Sequence, residues 1–260
     1  MIVASWNVNS IKVRLPNVLK WLEQRAPDIA CLQEIKCIDA NFPAQAFEDI
    51  GYNVAVHGQK TYNGVAILSK LPFDEVLTRL PGDEADEQAR YLEAVVSSDT
   101  GALRVACLYL PNGNPVETEK YSYKLDWMDR LKSHAKALLA LEEPFVLAGD
   151  YNVIPEARDV YDPPAWAQDA LFCLETREKY HELVNLGLTD SFRACTDQAH
   201  QYTFWDYQRG AWTKDHGLRI DHLLLSPQAA DRLQSCEIDK FTRGWERPSD
   251  HAPIWADIDG

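Results

Sequence analysis

The residues best suited to chemistry in this 260-residue chain stand where apolar runs stop. The sharpest case is PFVLAGDYN, residues 144–152. The run Phe145–Ala148 is too short for a helix, and closed by Gly149 it predicts a strand buried on both faces. It ends in Asp150, Tyr151 and Asn152. Asp150 and Asn152 are two apart, so an extended backbone points both to one face. Gly149, lacking a Cβ, lets substrate or a neighbouring strand approach closely. An Asp-x-Asn turn after a strand is common in itself, but the same ending recurs. IVASWNV (2–8) stops at Asn7-Val8-Asn9, DIACLQ (28–33) at Glu34, and LRVACLYL (103–110) at Tyr109 and then Asn112. Asp221 lies within RIDHLLLS (219–226), and Asp250-His251 precede the last apolar run. This set is rich in hard oxygen donors and poor in sulfur, with no Gly-x-Ser-x-Gly turn and no paired histidines. Two or three carboxylates with one histidine suit a Mg²⁺ site that handles a phosphate. Hydrolysing a phosphodiester needs a cation on the phosphate oxygens, a base or orienter for water, and donors for the developing charge. Candidates for each are present.

The elements that would position these groups are many short strands with few helices. Besides the runs above, residues 52–57 alternate as a strand. GVAILS (64–69) follows a Tyr-Asn-Gly turn signal, and YLEAVVS (91–97) pairs with 103–110 as a hairpin across Asp99-Thr100-Gly101. A last strand is expected near 253–258. Helical spacing after Asn9 is interrupted by Pro16, which suits the first turn of a second helix through Leu19, Leu22 and Arg25. Residues 43–50 and 175–187 read as helices closed by glycines. Residues 118–141 carry Tyr121, Leu125, Met128, Leu131, Ala135, Leu138 and Leu139 at helical spacing, which is core packing. The Pro- and Asp-rich stretch 155–170 reads as an irregular loop long enough to suggest function, and YTFWDY (202–207) is dense in aromatics. The pattern implies an α/β chain of two packed sheets with helices outside, organised as one domain over 1–260.

Composition is ordinary for a globular chain, 46% hydrophobic and 25% charged. No apolar run approaches a membrane span, and MIVASWNVNS lacks the features of a signal peptide. Cys31, Cys37, Cys107, Cys173, Cys195 and Cys236 have no metal-type or redox spacing, so reduced thiols and a cytoplasmic location are expected. The net charge of −14 repels nucleic acid and anionic membranes, so any nucleic-acid partner must be met by a local basic face. The run GDEADEQ (82–88) is a solvated acidic loop.

Eight stretches in order carry a family resemblance: WNVNS (6–10), LQEIK (32–36), YNGVAILSK (62–70), YLPNG (109–113), GDYN (149–152), YTFWDY (202–207), GLRIDHLLLS (217–226) and RPSDHAP (247–253). Together, from Ile2 to Trp255, they resemble the exonuclease III family of abasic-site (AP) endonucleases, within the endonuclease/exonuclease/phosphatase superfamily. The resemblance implies a four-layer α/β sandwich, two packed mixed β-sheets flanked by helices, of the DNase I-like kind. It implies Mg²⁺ as cofactor, with Mn²⁺ as the alternative. Glu34 matches the principal metal ligand, with Asn7 beside it and Asp250 nearby. Asp150 matches the residue that activates or orients the attacking water, and Asn152 the one that positions it. His251 matches a phosphate donor, Asp221 the carboxylate that orients it, and Tyr109 and Asn112 groups that contact the phosphate. Phe204-Trp205, Leu218 and Ile220 match a pocket for a sugar that has lost its base, which leaves a duplex without breaking base stacking. One of the two adjacent rings is expected to be core. Lys12, Arg14, Lys36, Lys60, Lys120, Arg209, Lys214, Arg219 and Arg247 fall in or beside these motifs, and imply a basic DNA-binding face on an acidic body. The implied partner is double-stranded DNA with abasic sites or blocked 3′ ends, with no membrane and no obligate protein partner. Three alternatives stand beside abasic-site cleavage: a mainly 3′-exonucleolytic relative, a phospholipid or inositol phosphate phosphodiesterase, and a catalytically dead DNA-binding copy of the fold. A lipid enzyme is disfavoured by the lack of a membrane-inserting hairpin, and a dead copy by the filling of every matched position.

Overall fold

In the computed structural model, which describes residues 1–99 and 101–259, the apolar runs are strands. They are β1 (Ile2–Asn7), β2 (Ile29–Gln33), β3 (Asn53–His57), β4 (Val65–Ser69), β5 (Phe73–Thr78) and β6 (Tyr91–Ser98). The rest are β7 (Gly101–Tyr109), β8 (Phe145–Asp150), β9 (Thr189–Asp190), β10 (Asp221–Leu225), β11 (Leu233–Ile238) and β12 (Ile254–Ile258). Among the described residues they form two six-stranded mixed sheets, β11-β12-β1-β2-β4-β3 and β5-β6-β7-β8-β10-β9.

Period-two alternation assigns each strand's side chains to layers. Val3 of β1, Ile29 and Cys31 of β2, and Val146 and Ala148 of β8 enter the core between the sheets. The alternate residues Ala4, Trp6, Ala30 and Leu32 face outward onto α1 (Ile11–Arg25) and α2 (Ala44–Glu48). Phe145 and Leu147 face outward on the other side, onto α3 (Glu119–Leu139) and a second helix, Leu174–Val184. The result is the two packed sheets with helices outside that the strand pattern predicts, in the four-layer, DNase I-like arrangement that the resemblance implies. A Cβ on Gly149 would stand 2.0 Å from the Leu108 carbonyl oxygen of β7, so β7 and β8 pack as closely as they do only because residue 149 is glycine.

Some local expectations are corrected. Pro16 does not open a second helix, because α1 runs unbroken from Ile11 to Arg25 with Pro16 inside it. Burial of Ile11, Val18, Trp21 and Leu22 on one stripe outweighs the one lost main-chain donor. Asp221 is the first residue of its strand rather than an interior one. The stripe on α3 passes through Lys124 and Trp127, which are buried, rather than Leu125, which is only partly so. Strands β5, β9 and β11 have no counterpart in the sequence reading. β5 is a largely exposed sheet edge and β11 a mixed one, so neither shows a clean apolar alternation. The turn expected across Asp99-Thr100-Gly101 includes residue 100, outside the described residues. No described helix is long and apolar enough to cross a membrane, and the six cysteines are free.

Register converges the polar ends. β1 and β2 run parallel, as do β7 and β8, so the carboxyl ends Asn7/Gln33 and Tyr109/Asp150 lie side by side in each sheet. β10 runs antiparallel to β8 with Asp221 opposite Asp150.

Candidate active site

Asn7 lies at the tip of β1, fully buried, and its Nδ2 donates to Glu34 Oε1 and to Asp150 Oδ2, each at 2.9 Å. One amide thus joins carboxylates from both sheets. Its Oδ1 accepts from the Asn9 N–H at 3.0 Å. Asn7 is therefore a clamp on two carboxylates. The turns just past the strands that carry these groups adopt left-handed backbone at Asn9 (φ 44°), Glu34 (φ 52°) and Asn152 (φ 47°). Such conformations are uncommon for non-glycine residues and cluster at functional sites.

On the other side of Asp150, His251 Nδ1 is 2.9 Å from Asp221 Oδ2, and its Nε2 is 3.8 Å from Asp150 Oδ2. Burial alone would lower the imidazolium, but Asp221 and then Asp150 outweigh it and raise His251 to about 10. The ring is protonated at neutral pH, with Nδ1–H donating to Asp221 and Nε2–H free to donate into the cavity. Burial pushes the Asp150 carboxyl up to about 7; His251 pulls against this and Asp221 adds to it. Burial also pulls Glu34 upward, yet Lys36, 2.8 Å from its Oε2, and the Asn7 amide hold it below its ordinary value. Tyr109's phenol is pushed well up by burial and then by Glu34 and Asp150, so it stays a donor.

Glu34, Tyr109, Asn112, Asp150, Asn152, Asp250 and His251 line one cavity of about 230 Å³ together with Phe204, Leu218 and Ile220. Asn112 Nδ2 donates to Asn152 Oδ1 at 3.2 Å, and the Asn152 N–H to Asp150 Oδ1 at 2.9 Å. Phe204 stands edge-on to His251, with ring centroids 4.9 Å apart. Its neighbour Trp205 is a correction. Successive side chains point oppositely, and Trp205 is fully buried against Tyr202 and Trp212, its Nε1 donating to Asp215. It does not line the cavity.

The basic residues divide. Arg14 and Lys36 reach the rim by bonding Asn9, through its main-chain oxygen and its Oδ1 respectively. Lys12, Lys60, Lys120, Arg209, Lys214 and Arg247 are exposed. Arg219 is a correction: it is wholly buried, its Nε 2.7 Å from Asp159 Oδ1 and its Nη1 2.8 Å from Asp190 Oδ2, so it cannot reach DNA.

Other lining groups are absent from the sequence reading of the site: Trp166, Asp169 and Leu171 from the 155–170 loop and the turn after it, and Asp206. Asn9 does not line the cavity but supports a residue that does, its Nδ2 donating to Asp250 Oδ1 at 3.0 Å. Its signal was present, an amide two places beyond Asn7.

One ligand atom each from Asp150, Asp221 and His251 lies within 4.8 Å of the others, a grouping that fits a metal ion. Asp221 Oδ1 is buried and meets no donor among the described residues. With Glu34 and Asp250 on the same cavity, the donor set is carboxylate oxygen, which fits a hard cation such as Mg²⁺ or Mn²⁺.

A two-sheet sandwich whose strand tips gather acids, amides and one carboxylate-held imidazole defines a phosphoesterase-type hydrolase scaffold. Residues 4–251 match the Endonuclease/Exonuclease/phosphatase family. The chain is 33% identical over 262 residues to the exodeoxyribonuclease III of Haemophilus influenzae, covering 98% of each. It overlays an AP endonuclease from Archaeoglobus fulgidus with a TM-score of 0.95 at 36% identity, over 100% of both chains. It overlays a Neisseria 3′ phosphatase, NExo, bound to product DNA hairpin with a TM-score of 0.96 at 39% identity, over 100% of both. The chain belongs to the endonuclease/exonuclease/phosphatase family and, within it, to the exonuclease III group.

Proposed function

We propose that the chain is a Mg²⁺-dependent DNA repair phosphodiesterase that hydrolyses the backbone 5′ to an abasic site, leaves a 3′-hydroxyl, and trims 3′ ends of duplex DNA. The observation that carries this reading is the unbroken polar chain Glu34–Asn7–Asp150 beside His251–Asp221, set against an apolar pocket wall in one cavity. Charge and shape together suit a phosphate whose sugar carries no base.

Glu34 and Asp250 would hold the cation, with Asn7 fixing the carboxylate of Glu34. When bound, the cation neutralises charge on the phosphate oxygens. Asp150, raised to about 7, is poised to take a proton from the attacking water near neutral pH. Asp221 holds Nδ1 of His251, so that Nε2–H donates to a phosphate oxygen. Asn152 positions the attacking water, and Tyr109 and Asn112 supply neutral donors for the equatorial oxygens in the transition state. Phe204, Leu218 and Ile220 receive the sugar. Lys12, Arg14, Lys36, Lys60, Lys120 and Arg209 meet the backbone on either side.

A second reading, 3′-end processing with weak abasic-site cleavage, is favoured by the cavity's tightness. Trp166 and Leu171 crowd the same wall as Leu218, within about 230 Å³. Duplexes bearing an abasic analogue, a blunt end or a 3′-phosphate separate the two. Fastest incision at the abasic analogue supports the first. Fast 3′ processing with slow incision, restored by Leu171→Gly, supports the second.

A further inference from the structure

Beneath the cavity, α3 buries a lysine. Lys124 has no exposed surface, and its Nζ donates to the main-chain oxygens of Asn112 at 3.0 Å and Asn152 at 2.6 Å. Among the described residues no carboxylate lies at ion-pair distance from it. A buried ammonium is costly unless its donors are used, and a leucine or methionine would fill the same stripe without that cost. Both acceptors are carbonyls of residues whose side chains meet in the site, Asn112 Nδ2 on Asn152 Oδ1 at 3.2 Å. Neither loop is regular structure. Asn152 sits at φ 47° and Gly113 at φ 89°. A Cβ on Gly113 would come within 2.6 Å of Lys124 Cδ, so the 110–114 loop is moulded on this side chain. Asn152 then passes the constraint on, its Nδ2 to the Leu110 oxygen and its N–H to Asp150 Oδ1, both at 2.9 Å.

We propose that Lys124 is a positioning residue which, by tying the backbones of the two loops to α3, fixes the Asn112 and Asn152 amides and the Asp150 carboxylate toward the phosphate. The proposal rests on the functional reading above. A displacement of about 1 Å at a reacting centre is enough to cost about 100-fold in rate. Lys124→Met keeps the stem and deletes the donors. In Mg²⁺, on the better of the abasic and 3′-phosphate duplexes, kcat is expected to fall by about 10- to 100-fold, with KM changed by less than about 3-fold. Lys124→Arg, which can still donate to both carbonyls, is expected to recover most of the rate. In an Asn112→Ala background, the further loss from Lys124→Met is expected to shrink to less than about 3-fold, because both changes break one unit. Should Lys124→Met not fold, Lys124→Gln carries the same tests. Wild-type kcat in the variant, or losses that multiply fully with Asn112→Ala, would overturn the proposal. A wild-type chain that cuts neither duplex would instead bring down the functional reading, and this one with it.

Discussion

At the scale of single residues, the site turns on an imidazole shared between two buried carboxylates. His251 is held protonated because Asp221 and Asp150 together outweigh the cost of burying its charge. Asp150, with Asn7 and the Asn152 N–H on its two oxygens, has its orientation fixed before any substrate arrives. Removing either should cost rate and leave binding nearly intact. Asp150→Asn and His251→Ala are each expected to lower kcat by about 100- to 10,000-fold, while DNA affinity by fluorescence anisotropy changes less than about 5-fold. Equal losses in affinity and rate would place these groups in binding instead. Much of this was legible from sequence. A carboxylate or amide where an apolar run stops needs only the run's own pattern to be seen. The His251–Asp221 contact was not legible in that way, since the two lie 30 residues apart and only the tertiary fold closes the gap.

At the scale of elements, the parallel strand pairs deliver tips side by side, and the helices behind them set what the loops can do. The clearest misreading belongs here. Arg219, within the matched stretch 217–226, looks like a surface charge, because its partners Asp159 and Asp190 are 60 and 29 residues away. It anchors the 156–161 loop against the start of β10. Burial would raise the Asp159 carboxyl, yet Arg219 and Arg193 hold it below its ordinary value. Arg219→Met would leave a buried carboxylate short of a partner and is expected to destabilise the chain by about 3–5 kcal/mol in urea denaturation. The slope of DNA affinity against salt should not change. An unchanged unfolding midpoint with a shallower salt slope would restore Arg219 to the DNA face. The lysine on the buried stripe of α3 was equally hidden. Periodicity shows which face is inward, but not which inward residue is there for its donors.

At the scale of the whole molecule, the balance of charge makes two measurable demands. His222 is buried and, by that burial and then by the Arg219 guanidinium, pushed down to about 4. Its unfolded value is about 6.5, so below that pH the unfolded chain takes up a proton the folded chain refuses. The stability this group contributes is complete above pH about 6.5 and is lost as pH falls toward 4, by about 1.4 kcal/mol per unit and about 3 kcal/mol in all. Urea midpoints at successive pH values should trace that decline, and His222→Gln should flatten it. A slope indifferent to His222→Gln would contradict the assignment. The net charge of −14 demands that DNA be met by a local basic face. Affinity for duplex should then fall steeply with salt, log K dropping by about 0.9 per unit of log salt for each phosphate neutralised. A flat response would remove that face.

The claim from which the rest follows is that the joined acids and amides at the strand tips hold a divalent cation for phosphodiester hydrolysis. The direct measurement is cleavage of an end-labelled duplex carrying one abasic analogue and, in parallel, one carrying a 3′-phosphate. Each is assayed in Mg²⁺ and after excess EDTA, for wild type and Asp150→Asn. Cleavage or trimming to a 3′-hydroxyl in Mg²⁺, abolished by EDTA and by Asp150→Asn, is the expected result. Undiminished turnover in EDTA, or in Asp150→Asn, would contradict it.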